Sequence, residues 1–181
     1  MKHTLFCIYL AVRLMFFITG CSDTEVIKAQ LVETERPATS DRQTEAATDL
    51  TRQQSEEIDR LISDGLILYR QHDYEAAVNE FRSAVAIDPE NWRGYYFLGL
   101  VKTRQEEYGV ADAFLHESLS LAPADKRIRS QIYSAIAANF EDQQLLAQAE
   151  QHFRTALKLH PDSFLARRGL ERVEQSAALP R

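Results

Sequence analysis

Residues 84–91 read AVAIDPEN, residues 118–125 read SLSLAPAD, and residues 156–163 read ALKLHPDS. All three strings place a small residue first, apolar residues second and fourth, and proline sixth. Proline lacks a backbone N–H and clashes with the preceding turn, so each string reads as the end of a helix. The prolines Pro89, Pro123 and Pro161 stand 34 and 38 residues apart, which points to a repeated structural unit. Extending the register outward gives units 58–91, 92–125 and 130–163, with a four-residue insertion at Lys126–Arg129. The eighth residues are small, Gly65, Gly99 and Ala137, and so are the twentieth, Ala77, Ala111 and Ala149. The twenty-fourth are bulky: Phe81, Leu115 and Phe153. Small residues on two helices let their axes approach closely, and a bulky side chain fills the space beside them.

Over roughly residues 55–163 this pattern resembles the tetratricopeptide repeat, a 34-residue helix–turn–helix unit. The resemblance implies an all-α fold, a right-handed α-solenoid of three helical hairpins closed by a C-terminal capping helix. After Pro161, the stretch DSFLARRGLERVEQ places Ala166, Gly169, Leu170 and Val173 on one face, which predicts that capping helix over 163–176. Asp49 is a candidate N-cap for a first helix running from about Leu50 to Arg70, so the repeat domain spans 49–176. Tyr74 and Tyr108 fall where second helices begin, with Asp73 and Gly109 as candidate turn residues. Two positions depart from the family pattern, Asp64 and Lys102, where apolar residues are the rule, which weakens the expected packing of the first two units.

The N-terminus reads as an address. Residues 1–20, MKHTLFCIYLAVRLMFFITG, have the basic start, apolar stretch and small final residues of a secretory signal peptide. Ile18-Thr19-Gly20-Cys21 resembles the bacterial lipobox, which implies that Cys21 is acylated and becomes the first mature residue, the membrane attachment point. Acyl chains on that sulfur contribute roughly 0.8 kcal/mol per buried CH₂. Ser22 follows the cysteine where inner-membrane lipoproteins of this kind tend to carry Asp, so the resemblance implies an outer-membrane lipoprotein facing the periplasm of a Gram-negative cell. Arg13 interrupts the apolar stretch, and two other readings stand beside this one: an uncleaved anchor, and a cytosolic chain whose N-terminus imitates a signal. Cleavage would leave Cys21 as the lone cysteine and, with Lys2 and Arg13 gone, 19 Lys+Arg against 27 Asp+Glu. Residues 21–48, polar and without apolar period, read as a flexible tether.

A net charge of −6 gives no overall attraction for phosphate backbones, so nucleic acid is not an expected partner. The five histidines lack metal-site spacing, and no phosphate loop, nucleophile elbow or acid–base pair appears. No cofactor, no metal and no catalysis are expected, and His116 and His152 read as surface histidines. In tetratricopeptide arrays the second, fifth, ninth and twelfth residues of each first helix line a concave face. Here they are Asp59, Ile62, Leu66 and Tyr69, then Arg93, Tyr96, Leu100 and Thr103, then Gln131, Ser134, Ala138 and Glu141. Ile62, Leu66, Tyr69, Tyr96 and Leu100 suggest an apolar groove for a peptide or protein segment, rimmed by Arg70, Arg93 and Arg104. The alternative is that this face is covered by the chain's own terminal helices. Relatives that clamp a C-terminal carboxylate use Lys and Asn. The matching residues here are Ile62, Leu66, Phe97, Gln131 and Ala135, which cannot supply that clamp. The resulting expectation is a lipid-anchored scaffold or adaptor of the cell envelope, in pilus or secretion assembly or in docking cell-wall enzymes; the alternative is a cytosolic assembly or chaperone-like module. Sequence leaves the partner and the oligomeric state open.

Overall fold

The computed structural model describes residues 38–178 of the 181, with side chains from Thr48 onward. The expected signal segment, Cys21 and the tether as far as Pro37 lie outside the described residues. Seven helices make up the described chain: α1 Ala38–Arg70, α2 Tyr74–Ile87, α3 Trp92–Arg104, α4 Tyr108–Leu121, α5 Lys126–Asp142, α6 Leu146–Leu159 and α7 Phe164–Ala178. No strand occurs among the described residues. Residues 1–49 and 50–181 form two units, and α1 contributes to both.

The first helix starts earlier than expected. It begins at Ala38 rather than near Leu50, so Asp49 lies inside it and residues 38–48 of the expected tether are helical. Between Pro37 and Gly65 the chain contains no proline or glycine and is rich in Ala, Glu, Gln and Arg, which permits the extension. The four-residue insertion also proves helical. Lys126–Arg129 form the first turn of α5, which has 17 residues where α3 has 13.

Each hairpin turns by the same device. His72, Glu106 and Gln144, the fifteenth residues of the three units, adopt the left-handed conformation at φ 63°, 62° and 61°. Around each, one N–H bonds three residues back (His72 to the Tyr69 carbonyl) and the next bonds five back (Asp73 to Leu68). Glu106 and Glu107 repeat this on Thr103 and Lys102, and Gln144 and Leu145 on Glu141 and Phe140. These are Schellman closures, which satisfy the last carbonyls of the first helix. Gly109 does not form the turn; it is the second residue of α4, with open space around it.

Inside the hairpins the small and bulky positions meet as the pattern predicts. A Cβ built on Gly65 would lie 2.6 Å from the Phe81 ring, and one on Gly99 would lie 2.6 Å from Leu115. Ala137 and Phe153 share the third core, and Gly169 of α7 presses on the same ring, where an added Cβ would fall at 2.2 Å. The second helices end two residues before Pro89, Pro123 and Pro161. Asp73, Asn91 and Asp125 cap the N-termini of α2, α3 and α5 with side-chain oxygens.

Neither departure from the pattern leaves a bare buried charge. Lys102 is buried, and its Nζ donates to Glu107 Oε1 at 2.8 Å. Asp64 accepts from Arg60 at 2.9 Å along the exposed side of α1.

Candidate functional site

The first helices lie side by side, and their predicted face is one continuous surface because polar pairs cross every seam. Arg93 donates to Asp59, and Arg104 Nε to the Tyr69 hydroxyl at 3.2 Å, joining α3 to α1. Gln131 Nε2 donates to the Tyr96 hydroxyl at 3.2 Å, and Arg104 pairs with Asp142 at 4.0 Å, joining α5 to α3. Arg172 grips Glu141 through two bonds of 2.9 and 2.8 Å, joining α7 to α5. A bidentate guanidinium–carboxylate pair fixes orientation as well as distance.

Depth on this face follows position in the unit. All three fifth residues are closed into the seams: Ile62 is 1% exposed, Tyr96 7% and Ser134 1%. Ile62 sits among Ile58, Leu61, Ala84 and Phe97, and Tyr96 packs with Ile132, Ala135 and Leu115. Burial pushes the Tyr96 phenol above its ordinary range, and the Gln131 hydrogen bond only partly offsets this. Ile62 and Tyr96 are therefore floor, so truncating them would perturb the fold before it tested a ligand. The ninth residues behave differently. Leu66, Leu100 and Ala138 are all half-buried, a row that steps down in size from α1 to α5. Tyr69 is half-buried at the end of this row, and Arg70 and Arg104 are exposed beside it, while Arg93 is held by Asp59. Of the eight predicted groove residues, Leu66, Tyr69, Leu100, Arg70, Arg93 and Arg104 offer surface; Ile62 and Tyr96 support it.

Sequence reasoning missed the buried polar joint beneath this face. Asn139 is fully buried; its Nδ2 donates to the Tyr108 carbonyl at 3.2 Å and its Oδ1 lies 3.2 Å from the Thr103 hydroxyl. The signal was an Asn two residues after the small eighth position of the third unit, where the other units carry Ile67 and Val101. Of the two expected surface histidines, His116 is exposed and bonds the Asp112 carbonyl at 2.9 Å. His152 is instead half-buried, stacked on Phe140 at 5.3 Å and beside Tyr133 at 6.1 Å, because the bulky side chains of α5 lean over α6. Burial, then the neighbouring His116, hold its imidazole below the ordinary range. Among the described residues no group of three or more His, Cys, Asp or Glu can hold a metal ion, and no helix is long and apolar enough to cross a membrane.

Residues 65–105 match the family model of the TPR repeat. No protein of the curated set matches the chain in sequence. Among solved structures, the first TPR domain of Spaghetti (RPAP3), bound to the HSP90 peptide SRMEEVD, is 22% identical with a TM-score of 0.59, covering 69% of this chain and 96% of that one. The type III secretion translocator chaperone SycD of Yersinia enterocolitica is 18% identical with a TM-score of 0.59, covering 68% and 96%. An O-GlcNAc transferase of Thermobaculum terrenum is 22% identical with a TM-score of 0.62 over 71% of this chain, but only 24% of the transferase is matched. Seven helices in hairpin order, the fifteenth-residue turns and these likenesses together establish that the chain has the all-α tetratricopeptide-repeat fold.

Proposed function

We propose that the protein is a non-catalytic adaptor that holds a peptide or protein segment on the face of its first helices while Cys21 anchors it by lipid to the bacterial envelope. The observation that carries the binding reading is the half-buried row of Leu66, Leu100 and Ala138. A wet face built only for solubility would carry polar residues there. Tyr69, Arg70 and Arg104 at one end supply an amphipathic and cationic margin for a ligand's polar groups. The positions of a carboxylate clamp hold Ile62, Leu66, Phe97, Gln131 and Ala135, so a ligand with apolar anchors fits better than a free C-terminal acid. A bound peptide in one structure of this fold, and the secretion-translocator chaperone role of another, support the class of function. The lipobox resemblance supports the location.

A photo-crosslinking amino acid placed at Leu100 in the full chain, expressed in a Gram-negative host, tests the groove. The same probe at Val110 of α4 is the control. An adduct from the Leu100 probe alone is expected; equal yields from both positions would remove the groove. Intact mass and membrane fractionation of the same chain, beside Cys21→Ser, test the anchor. Loss of residues 1–20 with a gain of acyl mass is expected, and a soluble chain that keeps Met1 would move the adaptor to the cytosol.

A further inference from the structure

The extra turn of α5 builds a second concavity. The N-terminus of α5 and the turn between α6 and α7 border an open hollow of about 280 Å³. Arg127 and Gln131 line one side, and His160, Asp162, Phe164 and Leu165 the other. Arg127 belongs to the inserted Lys126–Arg129 turn, which the other two units lack. Phe164 and Leu165 are 72% and 65% exposed, the most exposed large apolar residues among those described. They stand off the Ala166–Gly169–Val173 stripe by which α7 caps the core. Folding does not explain leaving this adjacent pair in water, whereas docking does.

Charge identifies the occupant. Residues 126–131 and 158–168 carry six Lys and Arg, namely Lys126, Arg127, Arg129, Lys158, Arg167 and Arg168, against the single acid Asp162. Asp125, the next acid, spends its Oδ1 on the N–H groups of Arg127 and Ile128, at 2.8 and 2.9 Å. None of the six cations forms an ion pair among the described residues; Arg129 and Arg167 donate to the Leu119 and Pro161 carbonyls at 3.2 and 3.3 Å, and Lys126, Arg127, Lys158 and Arg168 remain for a ligand. Elsewhere Arg60, Arg93, Lys102, Arg104, Arg154 and Arg172 form ion pairs and Arg70 and Arg82 do not, in a chain whose net charge is −6. A surplus of unpaired cations at one end of an acidic protein favours an anionic partner and speeds its approach. The hollow falls below the usual range for a drug-sized ligand and suits an inserted side chain. Because the apolar pair lines a concavity rather than a bulge, a peptide fits better than a flat lipid surface.

We propose that this end of the fold is a second docking site, distinct from the first-helix face, for an acidic peptide segment that places one aromatic or aliphatic side chain against Phe164 and Leu165 and its carboxylates near Arg127 and the flanking cations. The site shares Gln131 with the first-helix face but none of the anchors proposed there.

The probe is a fluorescein-labelled octapeptide, Glu-Asp-Glu-Phe-Leu-Glu-Asp-Glu, followed by anisotropy against the full chain. Two control peptides replace the acids by Lys, or Phe-Leu by Ser-Ser. Saturable binding of the first peptide is expected, weakened at least tenfold in both controls and in the Arg127→Glu and Phe164→Ser variants, and unchanged by Val110→Ser. Leu165→Ser serves as a further variant should either of these fail to fold by circular dichroism. No saturable binding, or equal binding of the Lys peptide, would overturn the proposal. Loss with Leu100→Ser but not with Phe164→Ser would do the same, assigning the peptide to the first-helix face and leaving that reading intact. If Arg127→Glu and Phe164→Ser instead lower binding to phosphatidylglycerol vesicles and leave peptide binding untouched, the patch contacts lipid and the proposal falls.

Discussion

The two internal joints of the array are both apolar at heart and differ in the polar contacts added to that core. Where the first unit meets the second, contact is apolar and aromatic: Phe81 stacks on Phe97 at 5.2 Å, and Leu98 and Val101 pack with Ala77 and Val78. Its polar pairs, Asp59 with Arg93 and Tyr69 with Arg104, lie at the surface. Where the second unit meets the third, Tyr96 and Leu115 pack on Ile132, Ala135 and Ile136, and in addition Asn139 reaches the Tyr108 carbonyl and the Thr103 hydroxyl in a fully buried position, and Gln131 reaches Tyr96. Apolar contacts tolerate sliding, because a shifted methyl group still finds carbon to touch. A buried amide does not, since losing its partners costs the full desolvation of each group. The hydrogen-bonded joint falls where the chain breaks its 34-residue spacing. Asn139 is therefore expected to hold the register of this junction, a role that hydrogen exchange tests.

The largest effect should come from the joint between the first two units. Phe81→Ala removes a ring that fills both the Gly65 site and the Phe97 stack, and should cost about 3–5 kcal/mol in urea unfolding. A loss under about 1 kcal/mol would mean that this joint is not the main source of cohesion. Asn139→Ala should cost less, about 1–3 kcal/mol, because the cavity is small but the Tyr108 carbonyl and the Thr103 hydroxyl each lose a buried partner. Hydrogen exchange should then show faster opening of α5–α7 than of α2 and α3. Uniform acceleration along the chain would refute the assignment of register to this residue.

Relief of backbone strain should be smaller still. Glu106→Gly and Gln144→Gly remove a Cβ from a left-handed position, and each should raise stability by up to about 1 kcal/mol after the entropy of the added glycine is counted. Gly109→Ala, in open helical space, should also stabilise, by about 0.5–1 kcal/mol. Destabilisation by Gly109→Ala would contradict its placement inside α4. The smallest effect concerns pH. His152 holds its proton less readily in the folded chain than in the unfolded one. As pH falls through the ordinary histidine range, the unfolded chain therefore takes up more protons and stability declines. The melting temperature should fall between pH 7.5 and 5.5, less steeply in His152→Phe; equal slopes would show that the stacked imidazole titrates normally.

The hairpins were legible in the sequence because their packing depends on side-chain size at fixed offsets, as Gly65 with Phe81 and Gly99 with Leu115 show. The turns were less legible. Asp73 and Gly109 are the turn residues the sequence suggests, whereas the backbone bends at His72, Glu106 and Gln144. Which residues of the first helices share a face follows from their spacing, but the relief of that face does not. Whether a fifth residue such as Ile62 or Tyr96 is exposed depends on how closely neighbouring units stack, and no single unit encodes that distance. The burial of Lys102 became readable only once Glu107 was placed five residues away across a turn.

The Schellman turns carry a consequence for the order of assembly. Their bonds join residues three and five apart, whereas the Thr103–Asn139 contact spans 36 residues and Arg172–Glu141 spans 31. Closing a short loop costs little chain entropy, and closing a long one pays only when both ends are already shaped. Hairpins are therefore expected to form as local kernels and dock afterwards, with the buried amide among the last contacts to close. A chain emerging from one end, as in synthesis or translocation, can start folding before its remainder arrives.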